Sequence, residues 1–72
     1  MDGKKEILFT KYKFREREKE IVNMIIEGLS NKEISKSLFL SEGTVKNYIS
    51  NIYIKTNVRN RVQLIKLFCW NY

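Results

Sequence analysis

At 72 residues the chain has room for one domain, and a domain of this length buries only about 60% of the surface its unfolded chain exposes, which leaves little space for an enclosed active site. One cysteine, Cys69, and no histidine exclude an intramolecular disulfide and a cysteine/histidine zinc site, so neither a metal nor any other cofactor is expected. No apolar run approaches the roughly 18 to 20 residues of a membrane span and no signal-peptide core follows Met1, so the reading is of a cytoplasmic protein without membrane contact.

The charge is unevenly placed. Residues 1–43 carry 9 basic and 8 acidic residues, whereas residues 44–72 carry 5 basic residues and no acid. A long stretch without carboxylates, interleaved with Asn, Ser, Thr and Gln, suits a surface that approaches phosphates, and a basic face that serves solubility alone is the competing reading.

In chain order, residues 1–13 show no clear apolar period and read as a partly flexible N-terminal arm in which Ile7, Leu8 and Phe9 can pack locally; residues 14–72 read as the folded domain. A first helix is expected from about Glu16 to Glu27, because Ile21, Val22, Ile25, Ile26 and Leu29 keep the spacing of one buried face. Gly28 closes it, and Glu16, Glu18 and Glu20 suit the positive end of its dipole. Ser30-Asn31-Lys32-Glu33 fits a capping box that opens a short second helix with Ile34 and Leu38 as its stripe and Ser35 small enough for close helix approach. Phe39, Leu40 and Ser41 form a connection of three residues. Ser41 then caps a third helix, about 42–56, with Thr44 at its third position and Val45, Ile49 and Ile52 inward, Tyr53 beside them. Asn57 tolerates the left-handed conformation and stops this helix. A fourth helix from about Asn60 to Cys69 brings Leu64, Ile65 and Phe68 to the core. The predicted fold is therefore all-α, a compact four-helix domain.

Two short helices joined by three residues, the second entered through a serine cap, form a helix-turn-helix, in which the second helix lies in the major groove of DNA. With Val45, Ile49 and Ile52 inward, the opposite face carries Gly43, Lys46, Asn47 and Ser50, with Asn51 at its edge and Thr44 beside them in the first turn. Lysine donates to guanine or phosphate, asparagine pairs with adenine, serine contacts either, and glycine lets the backbone lie close. For any one of these residues an ordinary solvated surface competes; their clustering without acids favours base reading.

The chain resembles the LuxR/GerE/NarL family of bacterial DNA-binding domains. The residues that carry the resemblance run from Phe14 to about Phe68: Arg17-Glu18-Lys19-Glu20-Ile21-Val22, Gly28-Leu29-Ser30-Asn31-Lys32-Glu33-Ile34, Ser41-Glu42-x-Thr44-Val45-Lys46, Ile49-Ser50-Asn51-Ile52, Lys55, and Val58 through Asn60-Arg61. The resemblance implies a four-helix DNA-binding domain, base reading mainly at the positions of Lys46, Asn47 and Ser50, and dimerisation through the last helix. In length the chain resembles the free-standing GerE type of the family, for which control by a receiver in the same chain is not expected. Several residues depart from the family's pattern. Arg15 stands where a capping threonine is usual, which predicts a weakened start of the first helix. Tyr48 replaces a histidine, Thr56 and Asn57 replace leucine and glycine, and Leu64 replaces an alanine, so one corner of the core must repack.

Glu18, Glu33 and Arg61 read as residues that brace helices, with contact to DNA as the competing role. Lys32, Lys55 and Arg59 are candidates for phosphate contacts, with plain solvation as the competing role. Helix-surface acids unaccompanied by a nucleophile or metal set do not make an active site, so an enzyme is not expected. Gln63, Leu67 and Trp70 follow i, i+4, i+7 spacing on a separate face, which a two-fold homodimer would bury and which predicts a near-palindromic DNA site; Trp70 folded over its own domain is the alternative. Double-stranded DNA is thus the expected partner, with RNA polymerase or another regulator as a further one. The rival is a helical protein-interaction module with an incidentally basic surface; RNA binding is disfavoured because the reading face lacks aromatic stacking platforms.

Overall fold

The computed structural model describes residues 3–70, and among these every regular element is helical: α1 (Gly3–Lys11), α2 (Glu16–Ile26), α3 (Asn31–Leu38), α4 (Glu42–Thr56) and α5 (Arg61–Cys69). None of them is long and apolar enough to cross a membrane.

The helix boundaries follow the local chemistry of the chain. At the start of α2 the Arg15 guanidinium has no acceptor with which to cap, but the Glu18 carboxylate accepts the Arg15 backbone N–H at 2.8 Å. Half of a capping box survives, and α2 starts at Glu16 despite the missing threonine. Its end is closed by Gly28 at φ +95°, where the Leu29 N–H donates to the Met24 carbonyl at 3.0 Å. Ser30 and Glu33 form the full reciprocal box at α3: the Glu33 N–H donates to Ser30 Oγ at 3.1 Å, and the Ser30 N–H to Glu33 Oε1 at 2.8 Å. Ser41 caps α4 by accepting the Thr44 N–H at 3.1 Å, and Asn60 caps α5 by accepting the Gln63 N–H at 2.9 Å. Asn57 ends α4 in the left-handed conformation, and so does Phe39 after α3, at φ 57° for both.

Helix α3 packs on α4, and α2 packs against both α4 and α5. Ile21, Val22 and Ile25 of α2, Ile34 of α3, Val45, Ile49 and Ile52 of α4, and Leu64 and Phe68 of α5 meet in one core. The substitutions at the corner near the end of α4 are absorbed locally. Thr56 is buried but donates its hydroxyl to the Ile52 carbonyl at 2.8 Å, and Leu64 is fully enclosed.

The structure adds a fifth helix to the four expected. The segment read as an arm winds into α1, ends at Lys13 in the left-handed conformation, and lies against α5. Phe9 is the buried residue of α1, 2% exposed, with its ring centroid 5.1 Å from that of Phe14 and 5.3 Å from that of Phe68, and Leu8 and Tyr12 pack partly against the same core. A single aromatic anchor in nine residues produces no periodic pattern, since Ile7 on the same helix faces solvent. The aromatic trio spans α1, the turn after it and α5.

Phe9→Ala is expected to cost about 3 kcal/mol in urea unfolding, the loss typical of a buried phenylalanine; a loss below about 1 kcal/mol would mean that α1 is not part of the core. Phe39, 94% exposed, holds a left-handed backbone without packing in return. Phe39→Asn is therefore expected to raise stability, by up to about 1 kcal/mol in the same experiment.

Candidate nucleic-acid interface

Helix α4 owes its orientation to three fully or nearly buried residues, Val45, Ile49 and Ile52, with Thr56 below them. The opposite face then has to point outward. Gly43, Lys46, Asn47, Ser50 and Asn51 are all exposed there, and among the described residues no side-chain hydrogen bond engages Lys46, Asn47, Ser50 or Asn51. Their donors and acceptors are unspent. Thr44 differs: it is half-buried, and its Oγ1 accepts from Ser41 Oγ at 2.9 Å, so it belongs to the cap. A Cβ at Gly43 would meet only Ser41 Oγ at 3.9 Å, so internal packing does not demand glycine; its effect is to leave the first turn's backbone bare on the outer surface.

One residue of this face lies outside the polar pattern of the sequence. Ile54 is 76% exposed, and it stands seven residues after Asn47, about 10.5 Å further along the same stripe of the helix. The i+7 spacing was the available signal.

The three candidates for phosphate contact are placed differently. Lys32 is exposed in the first turn of α3, and Arg59 is exposed before α5, its backbone N–H donating to Gln63 Oε1 at 2.7 Å. Lys55 points inward. Its Nζ lies 2.6 Å from Glu18 Oε1, donates to the Lys13 carbonyl at 3.1 Å and sits 5.7 Å from the Phe14 ring centroid. Glu18 is 4% exposed, so the pair joins the first turn of α2 to the last turn of α4 in a largely desolvated position. Arg61 braces the other side: Nη1 donates to Asn31 Oδ1 at 3.0 Å and Nη2 to the Leu29 carbonyl, tying the start of α5 to the corner between α2 and α3.

Beside α4, Arg15, Glu18, Tyr48, Asn51, Ile54 and Lys55 line a cleft of about 340 Å³. Of the acids outside it, Glu16 and Glu20 are paired on α2 with Lys19 and Arg17, Glu33 is held in its cap, and Glu42 stands in the first turn of α4.

The face read as a dimer surface is less apolar than its spacing implied. Gln63 is exposed with its carbonyl oxygen engaged by Arg59, Leu67 is half-buried against the core, and Trp70 is 48% exposed with the Lys66 ammonium 4.7 Å from its ring centroid. The exposed stripe of α5 also includes Val62, 60% exposed, which the sequence reading did not select. Lys4 of α1 donates to the Trp70 carbonyl, so α1 borders this surface.

The sequence pattern of the GerE family, described as "Bacterial regulatory proteins, luxR family", matches residues 13–68. The chain belongs to this family. It is 43% identical over 56 residues to the "Probable transcriptional regulator ycf29" of Cyanophora paradoxa, covering 78% of this chain and 27% of that protein. It is 51% identical over 49 residues to the "CsgBAC operon transcriptional regulatory protein" of Escherichia coli K12, covering 68% and 23%. It is 52% identical over 48 residues to the "Transcriptional regulatory protein LnrK" of Bacillus subtilis, covering 67% and 22%. The chain thus spans about a quarter of the length of these relatives. No solved structure matches it. The matched region begins after α1, so the helix carrying Phe9 lies outside the family's pattern.

Glu18→Gln is expected to lower stability by about 1 to 3 kcal/mol in thermal or urea unfolding, because it leaves a partly enclosed ammonium without its counter-charge. Glu16→Gln, whose side chain is 90% exposed, is expected to change stability by less than about 0.5 kcal/mol.

Proposed function

We propose that this protein is a sequence-specific regulator of transcription that lays α4 in the major groove of double-stranded DNA and reads bases with Lys46, Asn47 and Ser50. The observation that carries this reading is the outer face of α4: an acid-free stripe of exposed donors and acceptors, not one of which is used inside the protein, on the second helix of a capped helix-turn-helix. Asn51 and the bare backbone at Gly43 extend the reading surface. Thr44 shapes its first turn. Lys32 and Arg59 contact phosphates on either side, whereas Lys55, paired with Glu18, supports α4 from behind. Phosphate contacts set register and orientation; base contacts set preference.

In the same reading two copies pair through α5, with Gln63, Leu67 and Trp70 at the contact, and bind a near-palindromic site whose half-sites lie about one helical turn apart, roughly 34 to 36 Å. The protein works in the cytoplasm on nucleoid DNA, and a further contact with RNA polymerase or another regulator converts binding into control. The names of the relatives support the regulatory part of this reading: two of them are called operon or transcriptional regulatory proteins.

Selection of bound sequences from random duplex DNA tests the proposal in one experiment, since it reports binding, preference and half-site spacing together. Affinity should fall steeply with salt, with a log-log slope of roughly −0.9 per phosphate neutralised. No binding to duplex DNA at low salt overturns the reading and leaves the protein-interaction module in its place. Lys46→Ala and Asn47→Ala are each expected to remove about 1 to 3 kcal/mol of discrimination between preferred and altered sites while leaving the far-ultraviolet circular dichroism unchanged. Retained preference in both variants would reject these two as readers.

A further inference from the structure

Arg15 is a poor residue for the position it holds. It occupies the N-cap of α2, where a side-chain oxygen stabilises the first turn, and a guanidinium has none to offer. Residues that break a local folding rule without local compensation are where function is to be sought. Its partners, or their lack, point the same way. Arg17 is paired with Glu20, and Arg61 with Asn31 and the Leu29 carbonyl, whereas among the described residues no hydrogen bond or ion pair involves the Arg15 guanidinium. The residue's backbone, by contrast, is pinned, because its N–H donates to buried Glu18 at 2.8 Å. Arg15 is therefore an exposed cation on a fixed stem.

That stem stands at the flank of α4. Tyr48, Asn51 and Lys55 follow i, i+3, i+7 spacing along one side of the helix, and with Ile54 and Arg15 they line the cleft described above. When α4 lies in a major groove, a sugar-phosphate strand runs along each flank. On this flank the helix itself supplies a hydroxyl from Tyr48 and an amide from Asn51, but its one cation, Lys55, is bound to Glu18 and neutralised by it. Among the residues lining the cleft, Arg15 is the cation left without a counter-charge.

We infer that Arg15, with the Tyr48 hydroxyl beside it, holds a phosphodiester of the DNA strand that borders the flank of α4 carrying Asn51. The inference rests on the DNA-binding reading above and deepens it: the N-cap of α2 serves the DNA rather than the helix. A planar guanidinium suits a phosphate because it can donate two parallel N–H bonds to two of its oxygens.

Arg15→Ser separates the two roles, since serine supplies the missing cap and removes the cation. Its urea midpoint should rise above that of the parent protein while its affinity for the selected duplex falls. The salt slope should drop by about 0.9, equivalent to roughly eightfold between 0.1 and 1 M salt, and equally for preferred and altered sequences. Arg15→Lys should keep the parent's slope. A parent protein that binds duplex DNA with an Arg15→Ser variant of unchanged slope overturns the inference and leaves the DNA reading standing. A variant that loses preference for one base position overturns it too, because Arg15 would then contact a base edge. If the parent binds no duplex at low salt, both the reading and the inference fail.

Discussion

The pair between Glu18 and Lys55 is the constraint on which the candidate interface depends. One buried carboxylate accepts the backbone N–H at the start of α2 and the ammonium from the last turn of α4, and that ammonium also holds the Lys13 carbonyl. The turn after α1 and the start of α2, adjacent in the chain, are thereby tied to the end of α4, about 40 residues on, through this one pair. Hydrophobic packing of Val45, Ile49 and Ile52 selects which side of α4 faces inward, but contacts of this kind are non-directional and tolerate rotation by several degrees. The ion pair adds a short, directional tie between the last turn of α4 and the first turn of α2, on top of the packing that turns Lys46, Asn47, Ser50 and Ile54 outward. Its partial burial makes it costly to break and keeps it less screened by salt than a surface pair.

A second consequence concerns charge. Of the cations near α4, Lys55 is spent on architecture, while Arg15 and Lys46 keep their charge for solvent or a ligand. The acids of α2 and α3 are tied up in caps and in pairs along their own helices. The positive field around the outer face of α4 therefore arises from the absence of carboxylates after Glu42 as much as from the number of lysines and arginines.

The aromatic trio of Phe9, Phe14 and Phe68 shows how a helix outside the family's pattern becomes part of the domain. A chain this short has little core, and three rings at centroid distances of 5.1 to 5.9 Å extend that core to α1 and the turn after it. The same docking places α1 beside the exposed stripe of α5 that carries Val62 and Trp70.

Helices α2 to α5 were legible in the sequence because their evidence is local. A capping box at Ser30, serine and asparagine caps at Ser41 and Asn60, and left-handed stops at Gly28 and Asn57 act within four residues of themselves, and the 3.6-residue period of Ile and Val follows from backbone geometry alone. The outward stripe of α4 followed once its inner stripe was known. What only the tertiary structure decided are contacts between segments far apart in the chain: the docking of Phe9 on Phe68, the capture of Lys55 by Glu18, the turning of Leu67 toward the core, and the placing of Arg15 beside Asn51. None of these has a period or a short-range motif, since each depends on where two helices cross. The local sequence therefore specified the helices and the face that α4 presents, and the packing of helices decided which cations on and around that face remain free to meet a phosphate.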